Sequence, residues 1–594
     1  MAKSVQEGQA VSAGEAIGLI RSCRPRVRTA DGTAAESAGL GIEGSWQGSS
    51  WSGRLRNAGS STVRIKEIVL FAGRLPYPPE TGLYAEGFQK LSQYCGTLAA
   101  PTCLGTYSDR DHCRLPQTPG AFTVYNLLLL SPPAGGFLLM AAASCRRFSA
   151  EFRIFPDQRV EVVLDAESRP IPPGAQWDLE EFFAQAGADR EDLLGALAER
   201  IQHNHPRLSY PRIPAGWCSW YHYYADVTEA DILANLDAIS ARIPALKYVQ
   251  IDDGFQARMG DWLTPGTAFS GGVQRLCEEI RARGFEPALW VAPFIAEEDS
   301  AVFREHPDWF ISDDSGKPLR SDLVSNGGWR RAPWYALDGT HPGVQDHFEA
   351  LFRSLRTDWG CSYFKLDANF WGALHGGRFH DPEATRVEAY RRGMEAVLRG
   401  AGDAFVLGCN APMWPSLGRV HGMRVTDDIG RRWRNFQQIA RELFHRNWQN
   451  GRLWMNDPDC ACLVDCRNQQ ATPDEYRFHA TMIYASGGMI LSGDNLAALP
   501  EERMQLLRKL LPPTGQAARF EDASFRVGAA DRPGGRAYCV FNWEDAAVEP
   551  EIRLPRPARI RDLWTDTDLG AHEGVFRLPP LPAHSGAVLE CTWL

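Results

Sequence analysis

The stretch from about residue 216 to 510 most tightly limits what this chain can fold into. Eight short apolar runs occur there, each ending in polar residues. They are GWCSW (216–220), YVQIDDGF (248–255), PALWVAP (287–293), YFKLDAN (363–369), FVLGCN (405–410), MRVTDD (423–428), LWMNDPD (453–459) and GMILSGDN (488–495). Amphipathic segments separate several of them. TEADILANLDAIS follows the first run, with Thr228 placed as an N-cap and Asp231 three residues on. GGVQRLCEEIRARG precedes the third and ends in a glycine suited to a C-cap. HPGVQDHFEALFRSL precedes the fourth. Eight strand-like runs alternating with helices predict an α/β fold, a (β/α)8 TIM barrel, whose chemistry sits at the C-terminal strand ends. The pattern has two irregularities. The fifth and sixth runs lie too close for a regular crossover helix, and the long stretch 294–340 reads as an excursion over the barrel mouth.

The flanks have a different texture. Before about 205, short β-like runs such as SSTVRIKEIVLFAG (60–73), FTVYNLLLL (122–130) and RVEVVLD (159–165) are punctuated by Gly, Ser and Pro. They predict an N-terminal β-sandwich domain over 1–205. That section ends in an expected helix, DLEEFFAQAGADREDLLGALAERIQ, and the Pro-rich HNHPRLSYPRIPAG (203–216) reads as a linker. The barrel is assigned to 206–512. RAYCVFNWED, EPEIRLP and SGAVLECTWL predict a small C-terminal all-β domain over 513–594.

Composition excludes several classes. With 44% hydrophobic and 23% charged residues, the 594-residue chain can bury a large core. A net charge of −10 lacks the basic footprint of a nucleic-acid binder. No run approaches the ~18 apolar residues of a membrane span. VYNLLLLSPPAGGFLLMAAASC is broken by Pro132, Pro133, Gly135 and Gly136, and reads as two strands joined by a turn. The N-terminal MAKSVQEGQAVSAGEAIGLIRSCRP lacks a secretory apolar region, so a cytoplasmic protein is expected. The fourteen cysteines show no paired C-x2-C spacing, so no metal site is expected. A homo-oligomer is left open.

The strand ends carry the candidate chemistry. Asp252 and Asp253 in QIDDGF can both enter the mouth once strand alternation relaxes at the strand end, where hydroxyl donors would relieve their repulsion. Lys365 stands two residues before Asp367 in YFKLDAN, so both face one side, and the ammonium is expected to keep Asp367 ionised. Asp427 and Asp428 follow Arg424, and one of them is expected to be a general acid. Trp220, Tyr221 and Trp290 offer aromatic faces, while Cys409 and Asn410 end the fifth run. Asp457, Asp459, Asp494 and Asn495, at the last two runs, are read as helix caps.

Taken in order, GWCSWY (216–221), IDDGF (251–255), GDW (260–262), ALWVAP (288–293), YFKLD (363–367) and RVTDDI (424–429) resemble family 36 of the glycoside hydrolases. This is the α-galactosidase family, in the same clan as family 27. The resemblance implies a retaining, exo-acting α-glycosidase for terminal α-galactosides, with a carbohydrate partner and no metal or organic cofactor. It makes Asp367 the nucleophile. Its R-x-x-x-D pattern, counted from Arg424, selects Asp428 over Asp427 as acid/base. It gives Asp252, Asp253, Trp220, Tyr221, Trp290, Lys365, Cys409 and Arg424 to the sugar, with Asn410 beside them. YAEGFQ (84–89) resembles a family loop that adds an aromatic, here Phe88. GCNAPMWPSLGRV (408–420) departs from the family's glycine-rich segment near the sugar's 2-position. A raffinose-synthase-like α-galactosyl transferase, a retaining hydrolase for another α-glycoside such as an α-N-acetylgalactosaminide, and a non-catalytic sugar binder are the alternatives.

Overall fold

The computed structural model describes residues 13–594, so the first twelve residues of the N-terminal segment lie outside the described part. At its centre stand eight parallel strands: Ala215–Cys218, Tyr248–Ile251, Glu286–Val291, Tyr363–Leu366, Phe405–Gly408, Gly422–Arg424, Met455–Asp457 and Ile490–Ser492. Each falls on one of the eight apolar runs. They pair in chain order, and the first also pairs with the last, Ala215 opposite Ile490. Between the seventh and eighth the ladder is open, bridged by Met489 N donating to Asn456 O at 2.9 Å. The barrel is therefore nearly closed. Almost every strand residue is buried, which is why these runs are continuous rather than alternating.

Several helices start where a side chain satisfies their first N–H groups. Thr228 and Asp231 form a full capping box on Glu229–Arg242, as their spacing predicts. Thr385 with Glu388 and Thr472 with Glu475 do the same for Arg386–Ala401 and Pro473–Ser486. Between the fifth and sixth strands there is only a 3-10 turn, Trp414–Ser416, in keeping with their close spacing. The excursion between the third and fourth strands is clipped at its base by a two-stranded ladder, Ile295–Ala296 with Tyr335–Ala336.

Antiparallel β structure flanks the barrel. The N-terminal part forms a thirteen-stranded sheet. In it Phe122–Ser131 and Phe137–Ala142 pair across the Pro/Gly turn, as read from the sequence. The expected helix from Asp178 onward is different: Phe182–Gly187 is a strand, and the helix is Arg190–Asn204, capped by Asp189. The free edge of Phe137–Ala142 explains this. Pairing with it satisfies six residues and buries Phe182 and Phe183, and such context overrides local helix preference. The C-terminal part holds a six-stranded and a two-stranded sheet. It packs on helix Pro473–Ser486, where Trp564 Nε1 donates to Thr481 Oγ1 at 2.9 Å.

The N-terminal segment 86–92 runs into the barrel between the fifth and sixth strands. Lys90 N donates to Ala411 O at 3.1 Å and Met413 N to Phe88 O at 2.8 Å. Arg446 and Glu86, both fully buried, close this joint through a 2.6 Å ion pair. Arg446 also donates to Lys90 O at 2.6 Å and Val425 O at 2.7 Å. Removing one member of such a pair strands the other charge, so Arg446→Met should lower stability by about 3–5 kcal/mol. The Glu86→Gln/Arg446→Met double variant should recover part of that loss. Urea unfolding checks both; a single variant with wild-type stability would contradict the account.

Candidate active site

Asp252, Asp253, Asp367, Asp427 and Asp428 all sit just past a strand end. There the chain leaves the sheet through unusual backbone conformations. Ala368, Asn410 and Asp459 are all left-handed, at φ 53°, 40° and 78°, which L residues adopt only when their surroundings enforce it. Gly254 follows Asp253 at φ 130°, and a Cβ there would lie 2.8 Å from Ala225 O.

These ends surround a cavity of about 330 Å³ whose walls include Asp252, Asp253, Trp290, Lys365, Asp367 and Asp428. Asp367 is held by neutral donors alone. The turn at Ala368 points its N–H at Oδ1 (2.7 Å), Asn410 Nδ2 reaches the same oxygen (2.8 Å), and Trp290 Nε1 reaches Oδ2 (3.0 Å). Trp262 packs edge-on against Trp290 at 5.6 Å and fixes its ring. Lys365 does not partner Asp367 as the spacing suggested. Its Nζ pairs with Asp252 Oδ2 at 3.0 Å, because a same-face i, i+2 relation sets a side but not a partner. Burial disfavours the ammonium, yet Asp252 and more distant carboxyl and thiol groups raise its pKa.

Asp252 also accepts from Gln250 Nε2 at 2.7 Å and from the Cys218 thiol at 3.4 Å. Asp253 accepts from Gln256 Nε2 at 2.7 Å and from both Nε (3.1 Å) and Nη2 of Arg330. Thus each member of the acidic pair has its own cation, and their mutual repulsion is relieved without a ligand.

On the other wall, Arg424 is a hub. Its Nη2 donates to Asp428 Oδ1 at 2.9 Å, Tyr221 OH at 3.1 Å, Asp427 O at 3.0 Å, and to Asp459 Oδ2. The Asp428 carboxyl remains 59% exposed, and the fully buried Lys90 Nζ stands 3.8 Å from it. Enclosure pushes the Asp428 pKa up, but Arg424, Lys90 and Lys365 outweigh it and hold the group below the usual aspartate value. Asp427 is different. Burial raises its pKa, and its repulsion with Glu442, which lies behind it, adds to the burial that lifts Glu442 to about 7. Burial likewise lifts Asp459 to about 6 against the pull of Arg424.

The remaining candidates fall at different depths. Trp220 and Asn410 line the cavity. Tyr221, Cys409 and Arg424 are buried behind its surface. Phe88 is fully buried, with Arg386 4.4 Å over its ring, while its neighbours Gln89 and Leu91 face the cavity. Asp459 and Asp494 do not cap the following helices, whose caps are Thr472 and Pro500. Instead they bind Arg424 and Arg431, the latter at 2.9 Å. Sequence reasoning missed Arg330, Trp329 and Lys90. The GGWRRAPW segment (327–334) inside the excursion was the available signal for the first two.

Asp109 pins segment 86–92 from below, accepting from Phe88 N at 2.8 Å and Tyr94 OH at 3.2 Å. Burial lifts its pKa from 3.8 to about 6. Between these values the folded state holds more protons than the unfolded state, so this group's contribution to stability falls as pH rises. Asp109→Asn should remove that slope. The stability difference, variant minus wild type, should grow from pH 4 to pH 6 by up to about 3 kcal/mol and then level off. A difference independent of pH in urea titrations would refute the assignment.

Comparison with known proteins bears on this geometry. Residues 201–397 match the family model described as Melibiase. That segment holds Asp252, Asp253, Lys365 and Asp367, and ends before Arg424 and Asp428. The A type blood α-D-galactosamine galactosaminidase of Flavonifractor plautii is 27% identical over 207 residues, 33% of this chain and 18% of that protein. The bifunctional α-galactosidase/sucrose kinase AgaSK of Mediterraneibacter gnavus is 28% identical over 184 residues, 29% of this chain and 20% of that protein. The chain thus spans only about a fifth of the length of these curated relatives. TtGalA, an α-galactosidase from Thermus thermophilus solved with p-nitrophenyl α-D-galactopyranoside, superposes with a TM-score of 0.62. It is 25% identical, covering 82% of this chain and 98% of its own. The resemblance to glycoside hydrolase family 36 therefore holds: the chain carries a melibiase segment over residues 201–397 on a nearly closed parallel barrel, and is a relative of the α-galactosidases.

Proposed function

We propose that this protein is a retaining, exo-acting α-glycosidase that hydrolyses terminal α-galactosides by double displacement. The observation that carries the reading is the meeting of Asp367 and Asp428 in one cavity with the Asp252 and Asp253 pairs. Asp367, oriented through both oxygens and not consumed by an ion pair, attacks the anomeric carbon. Asp428 protonates the leaving oxygen, then takes a proton from the water that releases the sugar. The Asp252–Lys365 and Asp253–Arg330 pairs supply acceptors and donors for the ring hydroxyls. A low Asp428 pKa suits the second, basic step. A bound sugar would strip water from this half-exposed carboxyl and raise its proton affinity for the first step.

Opposite products separate the two roles. With an activated aryl α-galactoside, Asp367→Ala plus azide should yield the β-galactosyl azide, and Asp428→Ala plus azide the α-anomer. Wild-type hydrolysis by either variant without azide would sink its assignment. Lys90→Met removes a cation beside Asp428. The limb of the kcat/KM profile governed by that carboxyl should therefore move to higher pH.

A second reading concerns the sugar. Asn410 stands after Cys409 beside the nucleophile, and the Flavonifractor relative is named for galactosamine. An α-galactosaminide is accordingly the rival glycone. Initial rates on aryl α-galactoside, α-galactosaminide and α-N-acetylgalactosaminide decide between them. Preference for either amino sugar would replace galactose in the proposal.

A further inference from the structure

A second cavity, of about 420 Å³, lies where the N-terminal part meets the barrel, and it shares no lining residue with the Asp367 cavity. One wall comes from Arg146 and from the end of helix Arg190–Asn204. The other comes from helix Arg386–Ala401 and from Arg419 after the fifth strand. On that helix Glu388, Arg391, Arg392 and Glu395 are spaced to share one face. The cavity wall thus holds four arginines against two glutamates.

The glutamates are already engaged. Glu395 accepts from Arg419 Nη2, while Glu388 accepts from Thr385 N at 3.0 Å in its capping box and stands 3.5 Å from Arg147 Nε. Arg392 is matched by Asp381 at 2.7 Å. Among the described residues, no carboxylate forms an ion pair with Arg146 or Arg391. For Arg391 this is unusual, because it is only 7% exposed and arginines are seldom buried unpaired. Its Nη1 donates to Pro415 O at 2.9 Å and Leu417 O at 3.0 Å, which are neutral acceptors. Its charge is left without a counterion.

The surroundings are fixed and rich in free donors. The N–H groups of Arg146, Arg147 and Phe148 all donate to Glu180 Oε1, at 2.8, 2.7 and 3.0 Å, which sets the Arg146 loop. Arg146 Nη2 is held against Asn204 O at 3.0 Å. Arg419 Nε is buried without a hydrogen-bond partner. His205 Nε2 accepts from Cys145 N at 2.9 Å, so the ring proton of this lining residue sits on Nδ1. Burial, with repulsion from Arg391, Arg146 and Arg419, pushes the imidazole pKa down to about 3. Burial and the nearby Arg419 push even Arg391 down to about 10. The cavity is therefore a pocket of uncompensated positive charge, in a chain whose net charge is −10.

We propose that this seam cavity, built around Arg146, Arg391, Arg419 and His205, binds the phosphoryl group of a small molecule. Guanidinium forks match phosphoryl oxygens in pairs, and the His205 Nδ1–H adds a neutral donor. The volume falls in the range of small-molecule pockets, so it admits a phosphate ester as well as inorganic phosphate. A ligand there would touch both the N-terminal part and the barrel, and would stabilise their contact.

Thermal unfolding of the full chain tests this. Tm is measured against increasing inorganic phosphate or glycerol 3-phosphate, with sodium chloride at equal ionic strength as the reference. Tm should rise above the chloride curve and saturate, as binding to the folded state requires. A lower half-saturating concentration for glycerol 3-phosphate assigns the site to an ester; an equal or higher one assigns it to free phosphate. Arg146→Ala should raise the half-saturating concentration about tenfold, the loss of one charge-assisted contact. Arg391→Met should abolish the saturable rise. Arg146 is exposed, so its variant reports on the site even where Arg391→Met unfolds. No rise above chloride in the wild type overturns the proposal. So does a rise that both variants retain, which is the general effect of phosphate on surface hydration. Either result leaves the α-galactosidase reading untouched.

Discussion

The buried contact between Arg446 and Glu86 is the constraint on which the Asp428 wall of the cavity depends. An arginine without solvent exposure must have its donors satisfied within the protein. Here they are spent on Glu86, on the backbone of Lys90 and Ser92, and on Val425 of the sixth barrel run. One guanidinium therefore fixes the N-terminal segment and the strand end that bears Asp428 to each other. Together with the Lys90 N–Ala411 O and Met413 N–Phe88 O bonds, this joint holds Lys90 at the barrel mouth. Its Nζ donates to Thr426 O at 2.9 Å, two residues before Asp428. The β region before the barrel is thus part of the cleft rather than an appendage to it.

The cations of the cavity are distributed unequally, and the inequality has chemical meaning. Lys365 serves Asp252, Arg330 serves Asp253, and Arg424 serves Asp459 and Asp428. Asp367 has only amide and indole donors. A carboxylate paired with a cation is neutralised by it, whereas neutral N–H donors orient the oxygens and leave the charge uncompensated. The neighbouring pairs neutralise most of the negative charge that would otherwise gather around it.

The barrel was legible in the sequence because its strands are buried on both faces, which turns each into a continuous apolar run. The capping box at Thr228 was legible by the same local logic; those at Thr385 and Thr472 emerged only with the structure. What stayed hidden was partner choice. Lys365 and Asp367 share a strand face, but the Lys365 ammonium lies nearer an aspartate 113 positions away. Phe182–Gly187 carries residues compatible with a helix and becomes a strand because Phe137–Ala142 leaves an edge to fill. Asp459 resembles a helix cap until Arg424 is seen beside it. Each case turns on a contact between distant positions, to which periodicity is blind.

The same limit explains why Trp329, Arg330 and Lys90 escaped a reading built on strand ends. A barrel motif search looks where the fold places chemistry, at the eight C-terminal ends. The walls of this cavity, however, also come from segment 89–113 outside the barrel and from the long excursion between the third and fourth strands. The floor, with Asp252, Asp253 and Asp367, is built from strand ends. Tyr107, His112, Asn326 and Trp329 line the same cavity from loops outside the strands. Strand periodicity therefore reveals the floor of the cavity, while the loops that complete its walls follow no periodicity and stay hidden until the fold is seen.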